Sequence, residues 1–305
     1  MAAAGRIAGR ASMRVVPRRR PAISYSGRMR FALLNSGLGL LAAAAELHRL
    51  QPEADLVIAM DPDGMPWGPR SPEDIIQRSL LLARAAAEHD PDVIVLACNT
   101  GTVHALSALR AEFEPGIPVV GTVPAIKPAA AAARSVAIWA TVATTASEYQ
   151  RRLIEEFGGR ATVTPVACPG LADAIDAGDR EATSAAIADA AGRTPRGCGA
   201  IVLGCTEYEL AADQISAAVP GAVLFGSAAA VAAQAVRRAV QAGLTAGPPG
   251  PAVSGTLRVL LSGRPASLPA TAVLYPQGRE LAGLRTGEIP ARRLADTGAG
   301  SSPCP

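Results

Sequence analysis

The feature that most constrains this chain is an internal repeat. Ile94-Val95-Leu96-Ala97-Cys98 and Ile201-Val202-Leu203-Gly204-Cys205 are two versions of one segment, 107 residues apart, each followed closely by a threonine and then by a helical stretch. At nearly the same offset, Arg30 to Leu34 matches Ser135 to Ala140, and Val119-Val120-Gly121 matches Leu224-Phe225-Gly226. One such match arises by chance; three in order and nearly in register do not. The pattern predicts two similar α/β domains related by an approximate two-fold axis.

Short runs rich in Val and Ile alternate with Ala-rich stretches, as βαβ units around parallel sheets require. Strands are predicted at Arg30 to Leu34, Asp55 to Ala59, Val93 to Ala97, Pro118 to Gly121, Ser135 to Ala140, Val163 to Val166, Ala200 to Leu203 and Val223 to Phe225. Eight strands suggest two parallel four-stranded sheets, each flanked by helices, with the site in the cleft between them. Helices are predicted at Leu38 to Leu50, Pro72 to Glu88, Thr102 to Phe113, Glu148 to Phe157 and Arg180 to Ala191. The resulting division has a first domain over 29–124 plus 227–265, completed by the helix after Ser227, and a second over 125–226. A basic leader, 1–28, is expected to be disordered. Gly and Pro rise beyond Leu244, so one short element is expected at Leu257 to Leu261 and a loosely ordered tail over 266–305.

Charge narrows the partners. Eight arginines and no acid fall within residues 1–30, so the net +3 of the whole chain becomes −5 for residues 31–305. A mildly acidic body removes the electrostatic case for nucleic acid, which needs clustered positive charge. The leader has the composition of a transit peptide, but Met29 stands directly before the first strand, which favours a dispensable extension. No run of 18 uninterrupted apolar residues occurs, so no membrane span is expected. Five cysteines, an odd count without a C-x-x-C pair, fit reduced thiols in a cytoplasm. His48, His89 and His104 lack metal-ligand spacing, and no metal is expected. Lys127 is the only lysine and precedes Pro128, which argues against pyridoxal chemistry and its Schiff-base lysine. No cofactor is expected.

The repeated cysteines lie where parallel sheets do chemistry, beyond the carboxyl ends of strands, near free N–H groups of helix N-termini. A single cysteine at a strand end is usually a small buried apolar residue. Two at equivalent points of a repeat read differently: facing domains would bring Cys98 and Cys205 to opposite walls of one cleft. Racemisation needs such a pair, one group to take a proton from one face of a carbon and another to return a proton to the opposite face. Helix dipoles and donors such as Thr100 and Thr206 are expected to lower the thiol pKa values toward neutrality. Cys168 and Cys198 have no symmetric partner, and Cys304 lies in the tail.

From Arg30 to Gly263 the chain resembles the glutamate racemases of the aspartate/glutamate racemase superfamily. The resemblance rests on Asn35-Ser36-Gly37-Leu38-Gly39, Pro66-Trp67-Gly68, Ala97-Cys98-Asn99-Thr100, Ile117 to Gly121, Thr141 and Thr144 with Ser147, Ala167-Cys168-Pro169, and Leu203-Gly204-Cys205-Thr206-Glu207-Tyr208. It implies that Cys98 and Cys205 are the catalytic thiols. It also implies that Asn35, Ser36, Gly68, Asn99, Thr100, Thr141, Thr144, Thr206 and Glu207 surround an amino-acid substrate, with Pro66 and Trp67 in a loop that closes over it. A cytoplasmic enzyme making D-glutamate for cell-wall peptidoglycan would follow. Oligomeric state is open, a homodimer among the alternatives.

Four positions depart from the glutamate racemase pattern: Asn35 stands for Asp, Glu207 for His, Trp67 for Tyr and Gly226 for Asp. The Gly-Cys-Thr-Glu motif is closer to aspartate and hydantoin racemases, so these stay open as alternatives, as does a binding protein for acidic amino acids with little catalytic power. Glu207 offers a carboxylate to a substrate ammonium, but an ionised Glu207 beside Cys205 would disfavour the thiolate.

Overall fold

The computed structural model describes residues 28–243 and 254–287. In chain order the first half contains β1 (Arg30–Asn35), α1 (Leu40–Leu50), β2 (Asp55–Met60), α2 (Pro72–Ala87), β3 (Val93–Leu96), α3 (Asn99–Phe113) and β4 (Val119–Gly121). The second contains α4 (Ile126–Ala132), β5 (Ser135–Ala140), α5 (Val142–Thr145), α6 (Glu148–Phe157), β6 (Thr162–Ala167), α7 (Leu171–Ala177), α8 (Arg180–Arg193), β7 (Ala200–Leu203), a 3-10 turn (Thr206–Ala211), α9 (Ala212–Ala218) and β8 (Val223–Phe225). The chain returns through α10 (Ala228–Gln241), β9 (Thr256–Leu261) and β10 (Arg264–Ala266), then a second 3-10 turn (Ala272–Leu274), α11 (Pro276–Ala282) and β11 (Arg285–Thr286). All eight expected strands are present. Val93 to Leu96 and Ala200 to Leu203 are buried throughout, as strands covered on both faces must be.

Two sheets form, but not of four strands each. The second has the order β6-β5-β7-β8, all parallel; the first runs β10-β9-β2-β1-β3-β4, with β11 also on β9. Every residue of β2 is buried, so β2 cannot serve as an open edge. β9 covers it in parallel, Leu56 opposite Leu257 and Met60 opposite Leu261, and β10 folds back antiparallel on β9.

The tail is also less loose than its composition implies. Ala272 and Leu281 are fully buried, α11 packs on α1, and the Tyr275 hydroxyl donates to the Ile175 carbonyl at 2.6 Å. A few well-placed apolar side chains suffice where Gly and Pro surround them. Residues 1–27 of the leader and 288–305 of the tail, with Cys304, lie outside the described residues. Arg28 lies within them, donating to the Ser254 carbonyl at 3.3 Å.

One continuous apolar cluster joins the facing sides of the two sheets: Phe31 and Leu33 of β1, Ala137 and Trp139 of β5, Leu203 of β7, and side chains of α1, α10 and the first 3-10 turn. The outer faces are closed separately, by α2 and α3 on the first sheet and by α4 and α6 on the second. Among the described residues, no helix is long and apolar enough to cross a membrane.

Candidate active site

Each thiol stands two residues beyond a central strand. Ala97 N–H still bonds to the Leu34 carbonyl at 2.9 Å, and the chain then turns into α3 with Cys98 as its N-cap. The Cys98 sulfur accepts the Gly101 N–H at 3.4 Å. In the second half, Gly204 N–H bonds to the Trp139 carbonyl at 2.7 Å and Cys205 caps the 3-10 turn. The Cys205 thiol donates to Glu207 Oε2 at 2.9 Å, and the Thr206 hydroxyl lies 3.3 Å from the same oxygen.

Two buried amides tie these loops together. Asn35 Nδ2 donates to the Ala97 carbonyl at 2.8 Å and to Thr206 Oγ1 at 3.1 Å, while its Oδ1 accepts Ser36 N–H at 2.6 Å. Reciprocally, Asn99, beside Cys98, donates from Nδ2 to the Gly204 carbonyl at 2.7 Å. Each cysteine loop is therefore held by an amide from the first half that reaches the second. Asn99 Oδ1 is buried without a partner, an acceptor available to an incoming N–H group. Gly39 completes the contact: a Cβ there would come within 2.6 Å of Glu207 Oε1, so α1 can start this close to the turn only from a glycine.

The thiols do not titrate near neutrality here. Burial pushes Cys98 up to about 12, with the Glu207 charge adding to the rise and the N–H groups of Gly101, Thr100 and Ser36 opposing it. Cys205 is driven well above its ordinary value by burial, by the charge and hydrogen bond of Glu207, and by Cys98. The expectation of lowered thiols is thus corrected: the donors are present, but desolvation and the neighbouring carboxylate outweigh them.

A second carboxyl belongs to this site, and sequence reading missed it. Asp176 on α7 accepts the Leu38 N–H at 2.7 Å, and a Cβ on Gly37 would approach its Cγ to 2.7 Å. Burial, followed by the Glu207 charge, pushes Asp176 up to about 8. Its only signal in the sequence is an acid directly after Leu171, Ala174 and Ile175, the apolar stripe of a short helix.

The remaining expected residues are placed as follows. Ser36 is buried beside Asn35, and Thr100 lies half-buried in the first turn of α3. Trp67 is fully buried, its Nε1 donating to Asp61 Oδ2 at 3.0 Å; Asp61 also accepts Arg78 Nη1 at 3.1 Å and the Ser262 hydroxyl at 2.9 Å. The indole would meet a Cβ on Gly101 at 3.0 Å, so it packs, fully buried, behind the Cys98 loop. Pro66 is exposed and Gly68 faces open space. Thr141 and Thr144 stand at the carboxyl end of β5, their hydroxyls 3.0 Å apart, bonded to each other and to neither cysteine loop. Cys168 and Cys198 are buried and free, in contact with the Val166 and Ala200 carbonyls. No group of three or more His, Cys, Asp or Glu among the described residues is arranged to hold a metal.

The chain is similar to known proteins over most of its length. The family model for Asp/Glu/hydantoin racemase matches residues 35–235. A glutamate racemase of Herpetosiphon aurantiacus is 37% identical over 241 residues, covering 77% of this chain and 92% of that protein. One of Pseudomonas entomophila is 37% identical over 211 residues, 67% of this chain and 79% of its own length. Among solved structures, the Escherichia coli glutamate racemase in complex with L-glutamate and the activator UDP-MurNAc-ala superposes with a TM-score of 0.70 at 25% identity, over 85% of this chain and 97% of that one. The match runs from Asn35, which bridges the two thiol loops, into α10, and on that basis the chain belongs to the Asp/Glu/hydantoin racemase family.

Proposed function

We propose that this protein racemises glutamate without a cofactor, Cys98 and Cys205 acting on opposite faces of the α-carbon. The observation that supports the reading is the reciprocal bridging of the two cysteine loops by Asn35 and Asn99, which ties the thiol-bearing loops of separate sheets together. The choice of glutamate follows the relatives named above. The substrate ammonium suits the unpartnered Asn99 Oδ1.

In one direction Glu207 takes the Cys205 proton along the existing hydrogen bond, the resulting thiolate removes the α-proton, and the Cys98 thiol delivers its own proton to the other face. The Cys98 thiolate so formed is met by the N–H groups of Gly101, Thr100 and Ser36. In the other direction Cys98 is the base and Cys205 the acid. Asp176, raised above the usual carboxylate range by burial and by the Glu207 charge, ionises less readily beside Glu207 than a free carboxyl would. A cytoplasmic role in supplying D-glutamate to peptidoglycan belongs to the same reading. The Glu207–Cys205 contact, shared in sequence with aspartate racemases, makes aspartate the second candidate.

The test is incubation of purified protein with L-Glu, D-Glu, L-Asp and D-Asp separately in deuterated water, following loss of the α-proton signal by NMR. Exchange and inversion of both glutamate enantiomers are expected. Exchange of aspartate alone would move the assignment to the second candidate, and no exchange with any of the four would overturn it.

A further inference from the structure

The 3-10 turn that carries Glu207 is tethered at four successive side chains. Thr206 meets Asn35, Glu207 meets Cys205, and the Tyr208 hydroxyl lies 3.4 Å from the Cys168 carbonyl. Glu209 reaches the other way, to α10. Its Oε1 accepts the N–H groups of Ser227 at 2.7 Å and Ala228 at 3.1 Å, and the Ser227 hydroxyl at 3.0 Å. Ser227, the N-cap of α10, makes no side-chain cap of its own. The carboxylate that satisfies the start of α10 therefore comes from a different element, which is an unusual source for a cap.

Gly226 is explained by the same contact. A Cβ there would overlap the Glu209 carboxylate, its Cδ only 2.6 Å away, and Gly226 is not among the glycines with positive φ. Space, not backbone conformation, demands glycine. Where the resemblance leads one to expect an acid at 226, the Glu209 carboxylate occupies the space that a side chain there would enter. α10 in turn packs on α1 and against β3 and β4, so Glu209 joins the turn bearing Cys205 and Glu207 to the helix behind the strand that leads to Cys98.

We infer that Glu209 is a positioning residue for the reaction, a latch between the 3-10 turn and α10 that sets how Glu207 and Cys205 meet the Cys98 loop, with Gly226 as its required partner. This deepens the racemase reading and rests on it for the kinetic part of its test. An aspartate at 226, two residues before Ala228, could offer a carboxylate to the same N–H groups from the chain itself, so the latch can be moved.

The test compares the full-length wild type with Glu209→Gln, Glu209→Ala, Gly226→Asp and the Glu209→Ala/Gly226→Asp double variant. Three readouts are taken: kcat and KM on the amino acid that the wild type turns over, iodoacetamide alkylation of Cys205 against pH by peptide mass spectrometry, and Tm. Glu209→Gln is expected to keep the fold while kcat falls about tenfold with KM within about twofold, and to shift the Cys205 alkylation profile. Gly226→Asp alone is expected to be crippled by the crowded carboxylates. The double variant is expected to recover kcat and the alkylation profile relative to Glu209→Ala. A Glu209→Gln protein with wild-type kcat and alkylation profile would overturn the proposal, as would a double variant that regains Tm but not kcat. Should the wild type exchange no amino acid, the racemase reading fails on its own, and the alkylation profiles alone decide whether the latch exists.

Discussion

A thiol and a carboxylate share one hydrogen bond at the centre of this site, and most of its electrostatics follow from that contact. Glu207 raises both Cys98 and Cys205, so removing its charge must lower them. Glu207→Gln is therefore expected to bring the onset of iodoacetamide alkylation of both thiols to lower pH, while racemisation slows because Cys205 has lost its proton acceptor. An unchanged alkylation profile would mean that burial alone governs the thiols. Asp176 gives a stability prediction. Its pKa rises from the ordinary carboxylate value to about 8 on folding, so the folded state holds a proton that the unfolded chain releases. The stability this contributes is complete at low pH and is lost as pH rises toward 8. Asp176→Asn keeps an acceptor for Leu38 N–H without the titration, so its Tm advantage over wild type is expected to grow between about pH 4 and 8 and then level off. The repeat marks the two cysteines in the sequence, and the family motifs point to Asn35, Asn99, Thr206 and Glu207 beside them. Asp176 was not, since its contact with Leu38 spans 138 residues and no local pattern announces it. The direction of the thiol shifts was misread because donors are visible in a sequence and desolvation is not.

At the scale of elements, the strands were legible because continuous Val and Ile runs have few alternatives, and the helix after Cys98 was expected from its length and composition; the helical stretch after Cys205, expected from the repeat, is a 3-10 turn leading into α9. What composition concealed lies at the end of the described chain. β10, β11 and α11 contain Gly, Pro and charged residues at a density that reads as loop, yet together with β9, the short element expected at Leu257 to Leu261, they close the open side of β2 and brace α1. Their order depends on a handful of buried side chains, which gives a sharp test. Leu281 is fully buried on α11, and Leu281→Ala is expected to cost about 3 kcal/mol in urea unfolding. A change under about 0.5 kcal/mol, typical of surface positions, would show that the segment is not part of the cooperative fold. The Pro66-Trp67-Gly68 segment taught the opposite lesson. A Pro-Gly loop suggests an exposed turn, but its middle is anchored by the buried indole, whose N–H donates to Asp61.

At the scale of the whole molecule, two sheets of unequal size share one apolar core, and their cysteine loops are joined by Asn35 and Asn99. The symmetry of the backbone is not repeated in the chemistry: the Cys98 sulfur accepts the Gly101 N–H, whereas the Cys205 thiol donates to a carboxylate. Enantiomers are equal in free energy, so kcat/KM must agree for the two directions, and this asymmetry can appear only in kcat and KM taken separately. The pairing of unlike surroundings around like thiols matters only if both sulfurs reach one carbon. A crystal structure with bound glutamate measures this directly. Both Cys98 and Cys205 sulfurs are expected within about 4 Å of the substrate α-carbon, on opposite faces, as proton transfer at near-contact distance requires. A complex with both sulfurs on one face, or with one of them beyond reach of the α-carbon, would contradict the account.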